Sequence, residues 1–419
     1  MSTPSRFAKV LATGAVLALC VGGLEIATRL VIRKNPTTGL DALSRVTLLP
    51  LRPSENAIRE AYARTANSTY LVRDQTMGWT IKPNGRAGEY SANAQGIRTD
   101  PTRTFAAARP TEGRRILAVG DSFTHGDGVP LDATWEAQLE AMHGDLEVLN
   151  LGGPGYGTDQ AFLRWRKEGR AFEAHVVVLG IWPENIARNL NILRFLMTPD
   201  AGLEMSKPRF ILDDGELVLI NSPTLDEDGL VRALTLGEPT SLMRHDFWRR
   251  ESEQTFRPYF HLSFLRVAAS VWAAYERKQL RQQLYEGTRP EGNEITVAIA
   301  RAFAREVRAS GASPLVLIMP MRELLALQAS PEGLPLVRAL KAEAIPVVDL
   351  GPSFFDAQRT SSVGDLFQPD GHLTREGNAI VARVIAPHLF GTVSGTAESG
   401  TTTESVDKTP SVEASDSRP

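Results

Sequence analysis

Hydrophobic positions in the central part of the chain follow two alternating patterns. Short aliphatic runs at 116–119, 147–151, 175–179, 314–319 and 345–350 are separated by stretches with helical spacing. Runs this short and this uniformly apolar read as strands buried on both faces. Their alternation with helices predicts a parallel sheet covered on both sides. Helices are expected over 133–142, 158–167 (with Thr158 as N-cap), 293–309, 331–341 and 375–387. Within 293–309, Ile295, Ile299, Ala302 and Phe303 recur every three or four residues, the stripe of a sheet-covering helix. The expected fold class is α/β, a three-layer α/β/α sandwich around a central parallel sheet.

Flanking segments break the alternation. Between the third and fourth strands lies an insertion at about 189–292. Apolar runs at 210–212 and 217–220 bracket Asp213, Asp214 and Gly215, a hairpin signal. Further on, Phe264, Ala268, Val271, Trp272 and Tyr275 mark one apolar face of a helix running to about Leu284. The insertion is expected to cap the active site, with a lengthened wall as the alternative. Residues 35–110 form an N-terminal extension with polar turns and few helix signals, expected to be small β elements.

At the N-terminus Arg6 and Lys9 precede an uncharged run from 10 to 24. As a helix it covers ~22 Å, short of the ~30 Å hydrocarbon core. Apolar character resumes after Glu25, so 1–34 reads as a membrane anchor, with a cleaved signal peptide as the competing reading. No A-x-A cleavage site stands out, and Leu19 precedes Cys20 where a lipobox needs a small residue. Residues 391–419, rich in Ser, Thr, Glu, Gly and Ala, read as a disordered tail. The expected organisation is therefore 1–34 anchor, 35–110 extension, 111–390 catalytic domain and 391–419 tail.

Composition narrows the function. Lys and Arg total 46 against 49 Asp and Glu, a net charge of −3. This balance lacks the basic surface with which proteins neutralise nucleic-acid phosphates. One cysteine, Cys20, excludes an internal disulfide and a Cys-rich zinc site. No metal or organic cofactor is implied.

In sheets of this type ligands sit beyond the carboxyl ends of the strands. The first strand ends in Gly120-Asp121-Ser122, a serine on a strand-to-helix turn whose N–H lies at a helix start. The second runs into Gly152-Gly153-Pro154-Gly155-Tyr156-Gly157, where backbone N–H groups can face inward. A flexible loop is the bland alternative, and no P-loop lysine follows. Asn185 follows the third strand and offers a side-chain amide. Before the last helix, Asp370-Gly371-His372 sets an imidazole beside a carboxylate, as a general base requires. Asp121 is expected to be structural, bonding nearby backbone N–H groups. His125 with Asp121 and Asp127 lacks a second His or Cys for a metal site. Arg188 and Trp182 are candidates for lining a pocket, and His143, His175, His245, His261 and His388 carry no motif.

Taken in order, these four blocks resemble those of the SGNH or GDSL hydrolase family. Gly120-Asp121-Ser122 is similar to the nucleophile block, Gly155 and Asn185 to the second and third, and His372 to the last. Upstream, Met77-Gly78-Trp79, Lys82-Pro83-Asn84 and Gly96-Ile97-Arg98 resemble a lead-in found in many exported bacterial members. Two positions depart: Pro369 stands where most members place the acid, leaving Asp370 two before the histidine, and Ile186 follows Asn185 where an aspartate is usual.

The resemblance implies a flavodoxin-like α/β/α fold and an acyl-enzyme route. Ser122 is the nucleophile, His372 the base and Asp370 its orienting acid. The N–H groups of Ser122 and Gly155 and the amide of Asn185 form the oxyanion hole. The expected activity is hydrolysis of O-acyl esters on a glycan, lipid or small molecule at the cell envelope. An O-acyltransferase acting on an envelope polysaccharide and a non-catalytic envelope binding protein are the alternatives. The catalytic domain is expected on the periplasmic or extracellular side of the membrane holding the N-terminal helix.

Overall fold

The structure, a computed structural model, describes residues 6–201, 205–235 and 241–390. The tail expected at 391–419 lies outside the described residues. Five parallel strands form the central sheet: β1 (Arg114–Gly120), β2 (Leu146–Gly152), β3 (Val176–Ile181), β4 (Ser313–Ile318) and β5 (Val347–Asp349). Their order is 2-1-3-4-5, and every neighbouring pair is parallel. Order reverses between β1 and β3, so a crevice opens there at the carboxyl ends.

Side chains alternate across the sheet, as the two-residue period of a strand requires. Leu117, Val119, Val177, Leu179, Ile181, Val316 and Ile318 face one apolar layer. Ile116, Ala118, Val176, Val178, Leu315 and Leu317 face the other. The helices that position the layers and the site are, in chain order, α1 (Arg6–Val31), α2 (Trp135–Met142), α3 (Thr158–Lys167), α4 (Ser263–Tyr285), α5 (Glu291–Ala309), α6 (Pro335–Ala342) and α7 (Arg375–Phe390), with shorter helices between them. The first layer is covered by α3, α5 and α6, through Phe162, Trp165, Phe303 and Leu340 among others. Trp135 and Leu139 of α2 and Val381 and Ile385 of α7 cover the second. The α/β/α sandwich is thus observed directly.

Several local expectations need correction. Gly157, not Thr158, is the N-cap of α3, with Gln160 reaching back to the Gly157 N–H at 3.1 Å. The helix expected from 331 starts at Pro335, and α7 runs through Pro387 to Phe390. The extension contains β pairs, Leu71–Asp74 with Gly78–Ile81 and Arg86–Ala87 with Tyr90–Ser91, but also an unforeseen helix, Glu55–Ala66. Ser54 caps that helix by accepting from the Ala57 N–H at 3.3 Å. The hairpin is present as Arg209–Asp213 and Glu216–Ile220.

α1 is continuous for 26 residues, about 39 Å at helical rise. It is longer than the uncharged run because Glu25 interrupts the apolar sequence without interrupting the helix. Among the described residues it is the one helix long and apolar enough to cross a membrane, a property that anchors and signal sequences share.

Candidate active site

Asp121 closes β1 and caps a single turn, Ser122–His125, its carboxylate accepting the Phe123 N–H at 3.0 Å. That cap aims the Ser122 side chain across the crevice. His372, 250 positions later, meets it there: Nε2 lies 2.9 Å from Ser122 Oγ. The other ring nitrogen, Nδ1, lies 3.0 Å from Asp370 Oδ2, while Asp370 Oδ1 accepts the His372 backbone N–H at 3.1 Å. One carboxylate therefore holds both the ring and the main chain of the histidine. Partial burial pushes the Asp370 carboxyl up, but the bonds from the His372 ring and backbone outweigh it and hold it below the ordinary carboxylate range. The imidazole also packs on Phe123, with ring centroids 5.2 Å apart, and Phe123 stacks on Trp182 at 4.9 Å.

Backbone N–H groups of Ser122 and Gly155 have no acceptor among the described residues. Both residues line the same cavity. Gly155 has φ +74°, and a Cβ there would lie 2.6 Å from the Arg194 guanidinium, so this position needs glycine. Asn185 behaves differently from a free donor. Its Nδ2 group donates to Asp121 Oδ2 at 3.0 Å and to the Tyr156 carbonyl at 3.1 Å, and its Oδ1 accepts the Trp182 N–H at 2.8 Å. One side chain thereby ties together the loops after β1, β2 and β3. Burial pushes the Asp121 carboxyl up, opposed by Arg188, whose Nη1 lies 3.6 Å away, and by the Phe123 N–H and Asn185.

A strand order of 2-1-3-4-5 with helices on both faces is that of a flavodoxin-like α/β/α sandwich, and a serine after β1 meets a histidine from the last loop in its crevice. No family model matches the chain, and no curated protein matches it. Solved structures similar to it include a G-D-S-L family lipolytic protein from Desulfitobacterium hafniense (12% identity, 65% of this chain and 99% of that one, TM-score 0.33). A catalytic mutant of an acetylxylan esterase from Geobacillus stearothermophilus (11%, 68% and 97%, TM-score 0.36) and a G-D-S-L family protein from Veillonella parvula (11%, 65% and 95%, TM-score 0.29) are also similar.

In this α/β/α frame the cavity over Ser122, His372 and Asp370 measures about 480 Å³. Its walls come from three sources. The sheet loops give Phe123, Trp182, Glu184 and Arg188; the extension gives Leu71 and Trp79; the insertion gives Arg194, Thr198 and Met205. The insertion thus reaches the cavity wall. A second cavity, about 580 Å³, adjoins the first at Trp182, Glu184 and Asp370.

Sequence reasoning missed the residues that brace these loops. Trp79 Nε1 donates to the Pro154 carbonyl at 2.9 Å, and the Tyr156 hydroxyl donates to the Trp79 carbonyl at 2.6 Å. Buried Arg98 donates to the carbonyls of His125, Gly126 (2.6 Å) and Val129 (2.6 Å), fixing the turn behind the nucleophile. The lead-in motifs therefore act as clamps. Gln368 Nε2 donates to the Asp127 carbonyl at 3.3 Å and to the Leu373 carbonyl at 2.8 Å, joining the histidine loop to that same turn. His125 is wholly buried, with Nε2 2.6 Å from the Tyr70 hydroxyl and Nδ1 on the Asp127 carboxylate. Both of its ring nitrogens are occupied by protein, as a structural histidine requires.

Proposed function

We propose that this chain is a serine esterase that cleaves O-acyl esters through an acyl-enzyme. The contact that carries this reading is His372 Nε2 at 2.9 Å from Ser122 Oγ, with Asp370 on the opposite ring nitrogen. Ser122 Oγ attacks the ester carbonyl as His372 accepts its proton, and Asp370 keeps Nδ1 protonated so that Nε2 is the accepting nitrogen. The tetrahedral oxyanion is met by the N–H groups of Ser122 and Gly155, with the Asn185 amide holding their loops in place. His372 then returns the proton to the leaving alcohol. Water, activated by the same imidazole, releases the acid.

A cavity of about 480 Å³ with aromatic and charged walls suits a short acyl group together with part of its alcohol. The alcohol belongs to a glycan, a lipid or a small molecule. α1 anchors the chain in a membrane with the catalytic part on the periplasmic or extracellular face; its exposed apolar length supports this. The test is fluorophosphonate labelling with p-nitrophenyl acetate hydrolysis, on wild type and Ser122→Ala. Labelling and turnover present in the first and lost in the second are expected. A wild type that neither labels nor hydrolyses acetate, or a Ser122→Ala variant that still labels, would overturn the reading.

A further inference from the structure

The spacing of Phe264, Ala268, Val271, Trp272 and Tyr275 predicts one apolar face of a helix, and α4 turns much of that face to the outside. Its buried positions are Ser270, Ala273, Arg277, Leu284 and Tyr285, with Arg277 paired to Glu253. Val271, Trp272 and Tyr275 are exposed, Trp272 at 62%. Just upstream, Phe256, Tyr259 and Leu262 are exposed as well. Among the described residues outside α1, six of the eleven exposed large apolar side chains fall between positions 256 and 275. The start of this face is fixed by a specific bond. Glu25, where the apolar run of α1 ends, accepts the backbone N–H of Ser263, the first residue of α4, at 2.6 Å.

We infer that α4 and the turn before it lie on the lipid bilayer surface, in the same membrane that holds α1. This rests on the reading of α1 as an anchor. From Phe7 to Leu24 the chain climbs about 27 Å, close to the ~30 Å hydrocarbon thickness. Glu25 then sits at the boundary, and the bond to Ser263 brings Tyr259 and Leu262 to the level where aromatic side chains collect. An interfacial helix presents an apolar face to the acyl boundary with cations at its edge. Val271, Trp272 and Tyr275 supply that face. Arg257 and Lys278, exposed and without an ion pair among the described residues, flank it, and Arg33 follows the end of α1, whereas Lys34 is paired with Asp41 at 2.8 Å. Those cations favour a surface carrying anionic headgroups. Further along α4, Lys278, Arg281 and Gln282 line the cavity beside Trp182, Glu184 and Asp370. Seating α4 on the bilayer therefore holds the catalytic mouth close to the membrane.

Tryptophan emission tests this directly. Trp79, Trp135, Trp165 and Trp248 are buried and Trp182 is half-buried, so Trp272 is the exposed emitter. The full chain is reconstituted in phosphatidylcholine–phosphatidylglycerol vesicles with or without bromines on the upper acyl chain. Bromines should quench the wild type by up to about one sixth, one tryptophan in six, and should leave Trp272→Phe unquenched. Wild-type protein that floats with the vesicles yet emits equally in both lipids would overturn the inference. That includes the case where aqueous iodide also fails to reach Trp272, since a partner protein or a second copy would then cover the face. Protein that fails to float would sink the anchor reading, and this one with it.

Discussion

Removing the Asp370 carboxylate tests whether an exposed acid two residues from the base works as a triad member. The Asp370 side chain is 62% exposed, so solvent screens its attraction for the imidazolium that forms during turnover. Opposite charges about 4 Å apart attract by ~1 kcal/mol in water and ~4 kcal/mol at an effective dielectric near 20. This site lies between, at ~2 kcal/mol, which is roughly a 30-fold loss in kcat/KM for Asp370→Ala. A buried triad acid is worth ~10⁴-fold, so the exposed one should cost far less. Asp370→Asn should be worse than Asp370→Ala. The His372 backbone N–H donates to one carboxylate oxygen and can only donate, so the amide oxygen of an asparagine settles there. Its NH₂ then faces Nδ1 and forces the proton to Nε2, where it cannot accept from Ser122. Initial rates on p-nitrophenyl acetate on the alkaline plateau decide the matter. A loss below threefold for Asp370→Ala, or an Asn variant faster than the Ala variant, would refute the assignment.

Three further outcomes follow from the same contacts. Asn185→Ala should slow turnover ~100-fold or more, the typical cost of disabling an oxyanion arrangement, and should lower thermal stability because Asp121 loses a buried donor; a loss under threefold would remove Asn185 from the site. Gly128→Ala places a Cβ 2.4 Å from the Gln368 amide at φ +80°, so the histidine loop should shift and kcat fall ~10- to 100-fold at little-changed KM, as steady-state kinetics would show. Burial lowers the His125 pKa from 6.5 to about 4, against the Asp127 carboxylate that raises it. The unfolded chain therefore takes up this proton first, and stability is lost as pH falls from about 6.5 towards 4, by ~3 kcal/mol at 1.36 kcal/mol per unit. Denaturant melts of wild type and His125→Gln across that range should show the variant with a flatter acid limb.

Residues whose chemistry is local were legible in the chain. Each sheet strand is an aliphatic run buried on both faces, and each was located to within two residues. Ser122 and Gly155 stood out as candidates in loops after strands and His372 beside Asp370 before the last helix, and the resemblance of the ordered blocks to a known family joined them. What escaped falls into two physical classes. Arg98, Trp79 and Gln368 act on backbone carbonyls, which every residue carries, so no letter at the far end marks their partners; Gln368 and Asp127 are 241 positions apart. The helix Glu55–Ala66 and the outward setting of the α4 face went unread for a different reason. The first buries only Ile58 and Ala61, too few for an apolar stripe. In the second the stripe is real but faces outward, because a periodic apolar pattern states that a face avoids water without stating what covers it.

The division of labour in the site follows from where its parts are attached. Ser122 and the unpaired N–H groups of Ser122 and Gly155 come from loops directly after sheet strands, His372 comes from the loop before α7, and Asn185 links the loops after β1, β2 and β3 through one amide. Such an arrangement is rigid because each donor and acceptor on that amide is already used, so shifting one loop breaks bonds to two others. The extension adds a second constraint from outside the sheet, since the Trp79 indole holds the loop after β2 at Pro154 and the Arg98 guanidinium holds the turn that follows Ser122. Among the described residues the insertion makes no comparable bond to Ser122, His372 or Asp370 and contributes Arg194, Thr198 and Met205 to the cavity. Changes in the extension should therefore disturb the chemistry itself, whereas changes in those three wall residues should alter which ester fits while leaving the Ser122–His372 contact in place.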